Sequence, residues 1–194
     1  MERLTINLLK MKTMKRIAIL IFLVGFGTTA MSQKVMTRTG KITFYSEASL
    51  ENIEAINNQV SSVINMESGD LAFTMLMKAF AFEKALMQEH FNEKYVESDK
   101  FPKSNFKGNI IDFDVAKLTT KPTEFTVTGT LTIHGESKEI TVKGFILKNA
   151  AGDIEATSTF LINLSDFKIE IPSTVKDNIS NSIEIRVKMT YEPV

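Results

Sequence analysis

The second half of the chain alternates apolar and polar residues with a period of two, the pattern of a β-strand with one buried face. The longest such run covers residues 125–133, where apolar residues and one glycine share a face and four threonines occupy the other. Runs of the same kind predict the remaining strands at 41–45, 71–77, 106–110, 140–146, 154–164 and 183–191. The pattern therefore predicts an all-β domain.

Two stretches depart from this alternation. Residues 50–58 fit either a helical turn or a bent strand, and residues 60–64 fit extended structure. From Glu83 the period changes, because Met87, Phe91 and Tyr95 recur at helical spacing. The spacing predicts a helix that runs to about residue 96 and ends before the proline at 102, since the residue before a proline is disfavoured in a helix.

Seven or eight strands, each with one apolar face, favour an antiparallel sheet that closes into a barrel. Closure buries the apolar faces and removes the exposed edges. The interior of a barrel of about eight strands is just wide enough for side chains or for one elongated ligand. We predict that the following inward-facing residues line this lumen: Phe44, Phe73, Met75, Phe106, Gly108, Ile110, Phe125, Val127, Gly129, Leu131, Phe160, Ile162 and Ile185.

The composition bears on what the interior holds. With 14 Phe, 10 Met and no Trp, the wall is bulky, soft and short of hydrogen-bond donors, which suits a hydrocarbon chain. Gly108, Gly129 and Gly144 fall on the apolar register, where a missing side chain either permits strong coiling of the strand or leaves room for a ligand. The alternative is a dry core that the protein fills with its own side chains.

The amino terminus has the order of a secretory signal. Four bases within residues 10–16 precede an apolar run at 17–26, and small residues follow. Ala30 and Ser32 occupy the small-residue positions of a cleavage site, so residues 1–32 are expected to be removed. The apolar run is also well short of the roughly 20 residues that a spanning helix needs.

Cleavage there leaves residues 33–194 as the mature domain, periplasmic or secreted, with no integral membrane segment. Met14 offers a second translation start that gives a more compact signal. Because residues 1–32 hold five bases and one acid, the remainder carries 18 Lys and Arg against 22 Asp and Glu. A mildly acidic domain argues against a nucleic-acid partner, whose phosphates require a basic surface.

Catalytic and metal-binding patterns are absent from the sequence. There is no cysteine and no Gly-x-Ser-x-Gly motif, so we predict no enzyme activity, no metal and no cofactor. Of the two histidines, His134 is expected to be an exposed residue at a hairpin tip. Glutamates at 89, 93 and 97 have helical spacing, which is typical of a solvated helix face. His90 is a candidate contact for a ligand head group or for Asp99, and a surface or capping role is the alternative.

Four segments resemble the YceI-like family in order and spacing. Residues 131–140 (LTIHGESKEI) resemble the turn signature of the family, and residues 97–106 (ESDKFPKSNF) are similar to its acidic-Lys-aromatic-Pro segment. Residues 87–91 (MQEHF) resemble its histidine-containing helix start, and residues 164–167 (LSDF) its Asp-Phe motif. The resemblance extends over nearly all of residues 39–192.

The resemblance implies an extended antiparallel eight-stranded lipocalin-like β-barrel, with one or two short helices, that binds a polyisoprenoid or a similar lipid in its lumen. Three positions depart from the family pattern and bear on head-group contacts: no Arg precedes His90, Glu136 stands where Val is common, and Lys168 where Gly is common. Two functions are carried forward: a lipid carrier, store or stress-related protein, and a structural barrel with a filled core and a protein partner. A homodimer is compatible with both.

Overall fold

The computed structural model describes residues 34–194, and the predicted signal segment lies outside them. Within this range a single antiparallel sheet contains nine strands. The strands are β1 (Lys34–Ser46), β2 (Ile53–Asn65), β3 (Asp70–Leu76), β4 (Ala81–Phe82), β5 (Lys103–Ile110), β6 (Thr123–Ile133), β7 (Glu136–Lys148), β8 (Ile154–Asn163) and β9 (Ser182–Pro193).

The sheet closes because β1 pairs with β9 on one side and with β2 on the other. The order around the barrel is β1-β9-β8-β7-β6-β5-β3-β2, and the two-residue β4 pairs with β2 alone. This arrangement confirms the predicted eight-stranded antiparallel barrel. The clearest predicted strand is β6, on which Phe125, Val127 and Leu131 are buried on one face, while Thr128 meets Thr141 of β7 on the other.

Strand β1 begins well before the predicted segment 41–45. Its first part was not predicted because a bulge interrupts the alternation of apolar and polar residues. The pairing with β2 shifts register on both sides of Gly40. A Cβ at Gly40 would lie 2.1 Å from Met189 Sδ and 3.1 Å from Val60 O, so any larger residue would require the Met189 side chain and the neighbouring strand to shift. The residues before Gly40 therefore belong to the barrel although their pattern did not predict a strand.

The two segments predicted at 50–58 and 60–64 form one strand, β2, that begins at Ile53, so the first is a bent strand and not a helical turn. Its alternation is obscured by Asn57, which is fully buried at the same register break. Asn57 Nδ2 donates to Leu76 O at 2.9 Å, and Asn57 Oδ1 accepts from the backbone N–H of Gln59 at 2.8 Å. A buried polar residue thus replaces an apolar one where β1 and β2 are bulged.

One helical segment lies between β4 and β5, as predicted. It consists of α1 (Ala85–His90) and a π-helical turn, Phe91–Tyr95, and Val96 caps it. The next residue, Glu97, has a positive φ of 42° and turns the chain towards β5. Among the described residues, no helix is long and apolar enough to cross a membrane.

The two ends of the barrel differ. The connections β1–β2, β4–β5, β6–β7 and β8–β9 meet at one end, which also carries α1 and is called the helix end below. The hairpins β2–β3, β5–β6 and β7–β8 meet at the opposite end. There the core is tightly packed, with Ile64, Ile110 and Tyr191 at most 2% exposed.

Candidate ligand-binding cavity

An apolar cavity of about 350 Å³ occupies the half of the barrel nearest the helix end. Because side chains alternate along a strand, each strand presents its inward stripe to this space. Phe44 and Phe160 are only half-buried despite their inward position, since they face the open cavity. The apolar residues of the eight barrel strands that line it are Ile42, Phe44, Ile53, Phe73, Met75, Leu131, Ile133, Phe160, Ile162, Ile183 and Ile185.

The helical segment closes one side of the cavity with an aromatic cluster. Phe91 stacks on Phe44 at 5.6 Å between ring centroids and packs against Phe80 at 5.6 Å and Phe82 at 5.0 Å. Phe44 also meets the rings of Phe80 and Phe82 edge-on. These contacts hold the helical segment against the barrel at Phe91 and add aromatic side chains to the cavity wall.

Two serines in the cavity wall are already satisfied. Ser46 is fully buried, and its Oγ accepts from the backbone N–H of Ser180 at 2.9 Å. Ser104 is 1% exposed, and its Oγ donates to Thr132 O at 2.9 Å. Because both hydroxyls already have hydrogen-bond partners, a ligand that covers them leaves neither one buried and unpaired.

The other polar residues lie on connections at the helix end. They are Glu51 from β1–β2, His90 and Tyr95 from the helical segment, and Asn178 from β8–β9. Burial raises the pKa of the Tyr95 phenol. Glu51 is ion-paired with Lys84, the residue before α1. In the described part of the chain no lysine or arginine lines the cavity.

A second, smaller cavity of about 70 Å³ continues the lumen towards the opposite end. Its wall includes Ile64, Ile110 and Tyr191 of the tightly packed end. Phe73 and Phe160 line both cavities and stand between them. The lumen is thus divided into a larger and a smaller compartment.

Two of the three inward glycines do not leave open space. Gly108 and Gly129 face each other across β5 and β6. A Cβ at Gly129 would lie 2.4 Å from Lys107 O and 2.8 Å from Phe106 Cζ, and one at Gly108 would lie 2.6 Å from the same ring atom. The Phe106 ring and neighbouring backbone already fill this region, so of the two alternatives drawn from the sequence, room for a ligand does not apply at these two glycines. At Gly144 a Cβ would make ordinary contacts of 3.5 Å or more, and this glycine lines the smaller compartment.

The structure separates the predicted lining residues into three groups. Those on the larger compartment are Phe44, Phe73, Met75, Leu131, Phe160, Ile162 and Ile185, and His90 joins them. Those on the smaller compartment are Phe73, Phe106, Ile110, Val127 and Phe160. Phe125, Gly108 and Gly129 line neither compartment, and Phe125 packs against Phe113 at 5.6 Å instead.

Most of the lining residues outside the eight barrel strands had no periodic signal in the sequence. They come from β4, the helical segment, the turns that follow β3 and β8, and the connection to β9. The residues are Met77, Phe80, Phe82, Met87, Phe91, Val96, Leu164, Ile169, Val175 and Ile179. The helical spacing of Met87 and Phe91 was the one available signal for this group.

His134 is not the exposed tip residue that the sequence suggested, because its side chain is only 13% exposed. His134 Nε2 lies 2.8 Å from Glu97 Oε2, and Nδ1 lies 3.1 Å from Phe167 O. The ring also meets Phe101 edge-on at 4.6 Å. His134 therefore connects the β6–β7 turn to the end of the helical segment and to the turn after β8.

The ionisable residues near the helical segment form no metal site. No group of three potential metal ligands occurs within residues 34–194. Glu89 and Glu93 are exposed, whereas Glu97 binds His134. Asp99 is paired with Lys78 at 2.5 Å rather than with His90.

Comparisons with known proteins agree with this architecture. The sequence model of the YceI-like domain matches residues 24–191. No curated protein matches the sequence. A polyisoprenoid binding domain from Saccharophagus degradans, implicated in plant cell wall breakdown, is similar with a TM-score of 0.73 and 16% identity, over 84% of this chain and 99% of that one.

Two further crystal structures have the same fold. BcnA from Burkholderia cenocepacia is similar with a TM-score of 0.66 and 16% identity, over 79% of this chain and 96% of its own. The YceI protein from Campylobacter jejuni is similar with a TM-score of 0.55 and 23% identity, over 70% and 82% of the two chains. At these identities the likeness is one of fold.

Proposed function

The chain belongs to the YceI-like family, and from that premise we propose that it holds a polyisoprenoid or another long-chain amphiphilic lipid in its barrel. The observation that carries the proposal is the cavity of about 350 Å³, which the core side chains leave open. Its volume falls in the range of ligand sites, about 300–1,000 Å³. Burial of a hydrocarbon chain there gains about 0.8 kcal/mol per methylene group.

The polar groups at the helix end suit a small head group. His90, Tyr95 and Asn178 can each exchange hydrogen bonds with a hydroxyl or a carbonyl. A diphosphate would need cationic partners, and no lysine or arginine lines the cavity in the part that the structure describes. The ligand that fits best is therefore an amphiphile with an uncharged end.

The proposed role is binding rather than catalysis. Among the described residues, neither histidine forms a proton-transfer pair inside the cavity. His134 lies outside the cavity and binds Glu97. His90 lines the cavity, but Asp99 pairs with Lys78 instead of with His90. A carrier or store in the periplasm or outside the cell is the setting we propose, and the signal-like order of residues 1–32 supports it. The mass of the exported protein tests this, with Gln33 expected as its first residue.

The ligand itself is tested by extraction. Protein purified without detergent should release an apolar molecule into organic solvent, identified by mass spectrometry, and should bind a fluorescent prenyl probe. An empty extract together with no binding of the probe would contradict the proposal. That outcome would favour the second function, a barrel whose surface meets a protein partner.

A further inference from the structure

The two compartments of the lumen share two aromatic side chains. Phe73 on β3 and Phe160 on β8 contribute to both walls, with about 350 Å³ on the side of the helix end and about 70 Å³ on the other. A chain that enters from the helix end meets these two rings before it can reach the smaller compartment. We call Phe73 and Phe160 the aromatic partition.

Phe73 is held in place by a series of contacts that starts at the glycine pair. Its ring stacks on Phe106 at 5.2 Å with 14° between the planes, and Phe106 is the cross-strand partner of Phe73. The far end of the Phe106 ring in turn lies where side chains at Gly108 and Gly129 would be. Because the two glycines leave this space to the Phe106 ring, Phe106 can stack on Phe73 and support the partition.

The volumes of the two compartments indicate how many carbon atoms of a bound chain each can hold. An apolar cavity of about 150 Å³ binds benzene, which corresponds to about 25 Å³ per carbon. On this scale the larger compartment, at about 350 Å³, holds about fourteen carbons. The smaller compartment, at about 70 Å³, would add about three.

We propose that the aromatic partition limits the bound hydrocarbon chain to about fourteen or fifteen carbons, the length of a farnesyl or myristoyl chain. This inference rests on the proposed function and adds a limit on chain length. A longer polyisoprenoid would have to displace Phe73 or Phe160, or leave its remaining units outside the barrel. Replacing either ring by a methyl group removes the barrier and joins the compartments.

The test uses a series of prenols, namely geraniol, farnesol and geranylgeraniol, in competition with a fluorescent prenyl probe. In the wild-type protein, affinity should rise from geraniol to farnesol and then fall by about tenfold for geranylgeraniol, because overpacking a filled cavity is unfavourable. In Phe73→Ala, and independently in Phe160→Ala, geranylgeraniol should bind at least as tightly as farnesol, because the joined compartments hold about seventeen carbons on the same scale and the deleted phenyl ring makes room for about six more. Phe145→Ala, on the outer face of β7, should behave as wild type.

A second substitution, combined with Phe73→Ala, tests whether the end of a longer prenol enters the smaller compartment. Gly144 lines only the smaller compartment and has room for a Cβ, so Gly144→Val narrows that space. Added to Phe73→Ala, it should restore the preference for farnesol.

The outcomes separate the two proposals. If no prenol binds wild-type protein, the proposed function fails, and the partition with it. If wild-type affinity continues to rise beyond farnesol, or if both alanine variants fold and keep the wild-type cutoff, the partition is overturned while the lipid-binding function stands. The wild-type series decides the matter even if an alanine variant does not fold.

Discussion

Glu97 accepts a hydrogen bond of 2.8 Å from His134, which stands 37 residues further along the chain. The bond joins the end of the helical segment to the β6–β7 turn, and both residues have positive φ angles, 42° and 52°. The contact joins two backbone positions of positive φ at the helix end, each directly after a residue that lines the cavity, Val96 and Ile133. Its first consequence is a dependence of stability on pH.

The hydrogen bond from His134 is the main reason that the pKa of Glu97 lies below its usual 4.5. A carboxyl group with a lowered folded-state pKa contributes stability above its unfolded-state pKa and loses it as the pH falls through the folded-state value. We expect Glu97→Gln to remove this contribution, so that urea midpoints of variant and wild type converge below about pH 4.

Glu93→Gln is the matched control, because Glu93 is exposed on the same helical segment. It should retain the wild-type profile of urea midpoint against pH. Equal profiles for Glu97→Gln and wild type across the acid range would show that the contact with His134 does not contribute to stability.

Tyr191 predicts a second pH effect, at the alkaline end. Burial raises the pKa of its phenol from 10.0 to about 12. Ser62 Oγ donates to Ala72 O at 3.0 Å, so the Tyr191 hydroxyl is the donor in its 2.8 Å bond to Ser62. Because the folded-state pKa is raised, the stability is fully present below pH 10 and is lost as the pH rises from 10 through about 12.

Tyr191→Phe should cost about 1 kcal/mol of unfolding free energy at neutral pH, since one buried hydrogen bond is lost. It should also be less sensitive to alkali than wild type, as measured by thermal unfolding followed by circular dichroism. Tyr45→Phe is the control, because that ring lies beneath Arg186 instead. If Tyr191→Phe lost thermal stability at alkaline pH to the same extent as wild type, the loss could not be attributed to titration of Tyr191.

The glycines on the inward register should differ in their tolerance of a methyl group. Gly129→Ala should destabilise the fold by more than about 1 kcal/mol, because the new Cβ would meet Lys107 O at 2.4 Å and Gly108 Cα at 2.5 Å, both in the backbone. Gly144→Ala should be neutral or gain up to about 1 kcal/mol, because its Cβ would make only ordinary contacts. Thermal midpoints compare the two, and equal losses would argue against the close approach of β5 and β6.

The fold was predictable because a period of two shows which face of a strand is buried. That period placed Phe44, Phe73, Leu131 and Ile162 in the interior, where the structure has them. It does not show how deep along the barrel a residue lies, which is why Ile110 was assigned to the same lining although it belongs to the far compartment.

Contacts between distant parts of the chain could not be predicted. The pairing of Gly108 with Gly129, and the Phe106 ring against both, depend on the register between β5 and β6. Likewise, nothing in the local sequence of His134 identifies Glu97 as its partner. The aromatic partition follows from such register-dependent contacts and not from composition.

The claim that the barrel holds an apolar chain is tested most directly by two neighbouring variants on β8. Ile162 lines the cavity and is 9% exposed, whereas Leu161 is 66% exposed on the outer face. The protein has no tryptophan, so Ile162→Trp and Leu161→Trp each add one large side chain that also reports its own environment by fluorescence. Titration with a fluorescent prenyl probe should give an affinity at least about tenfold weaker for Ile162→Trp than for Leu161→Trp, because the new indole occupies the cavity. Equal affinities for the two variants, both folded by circular dichroism, would contradict the account.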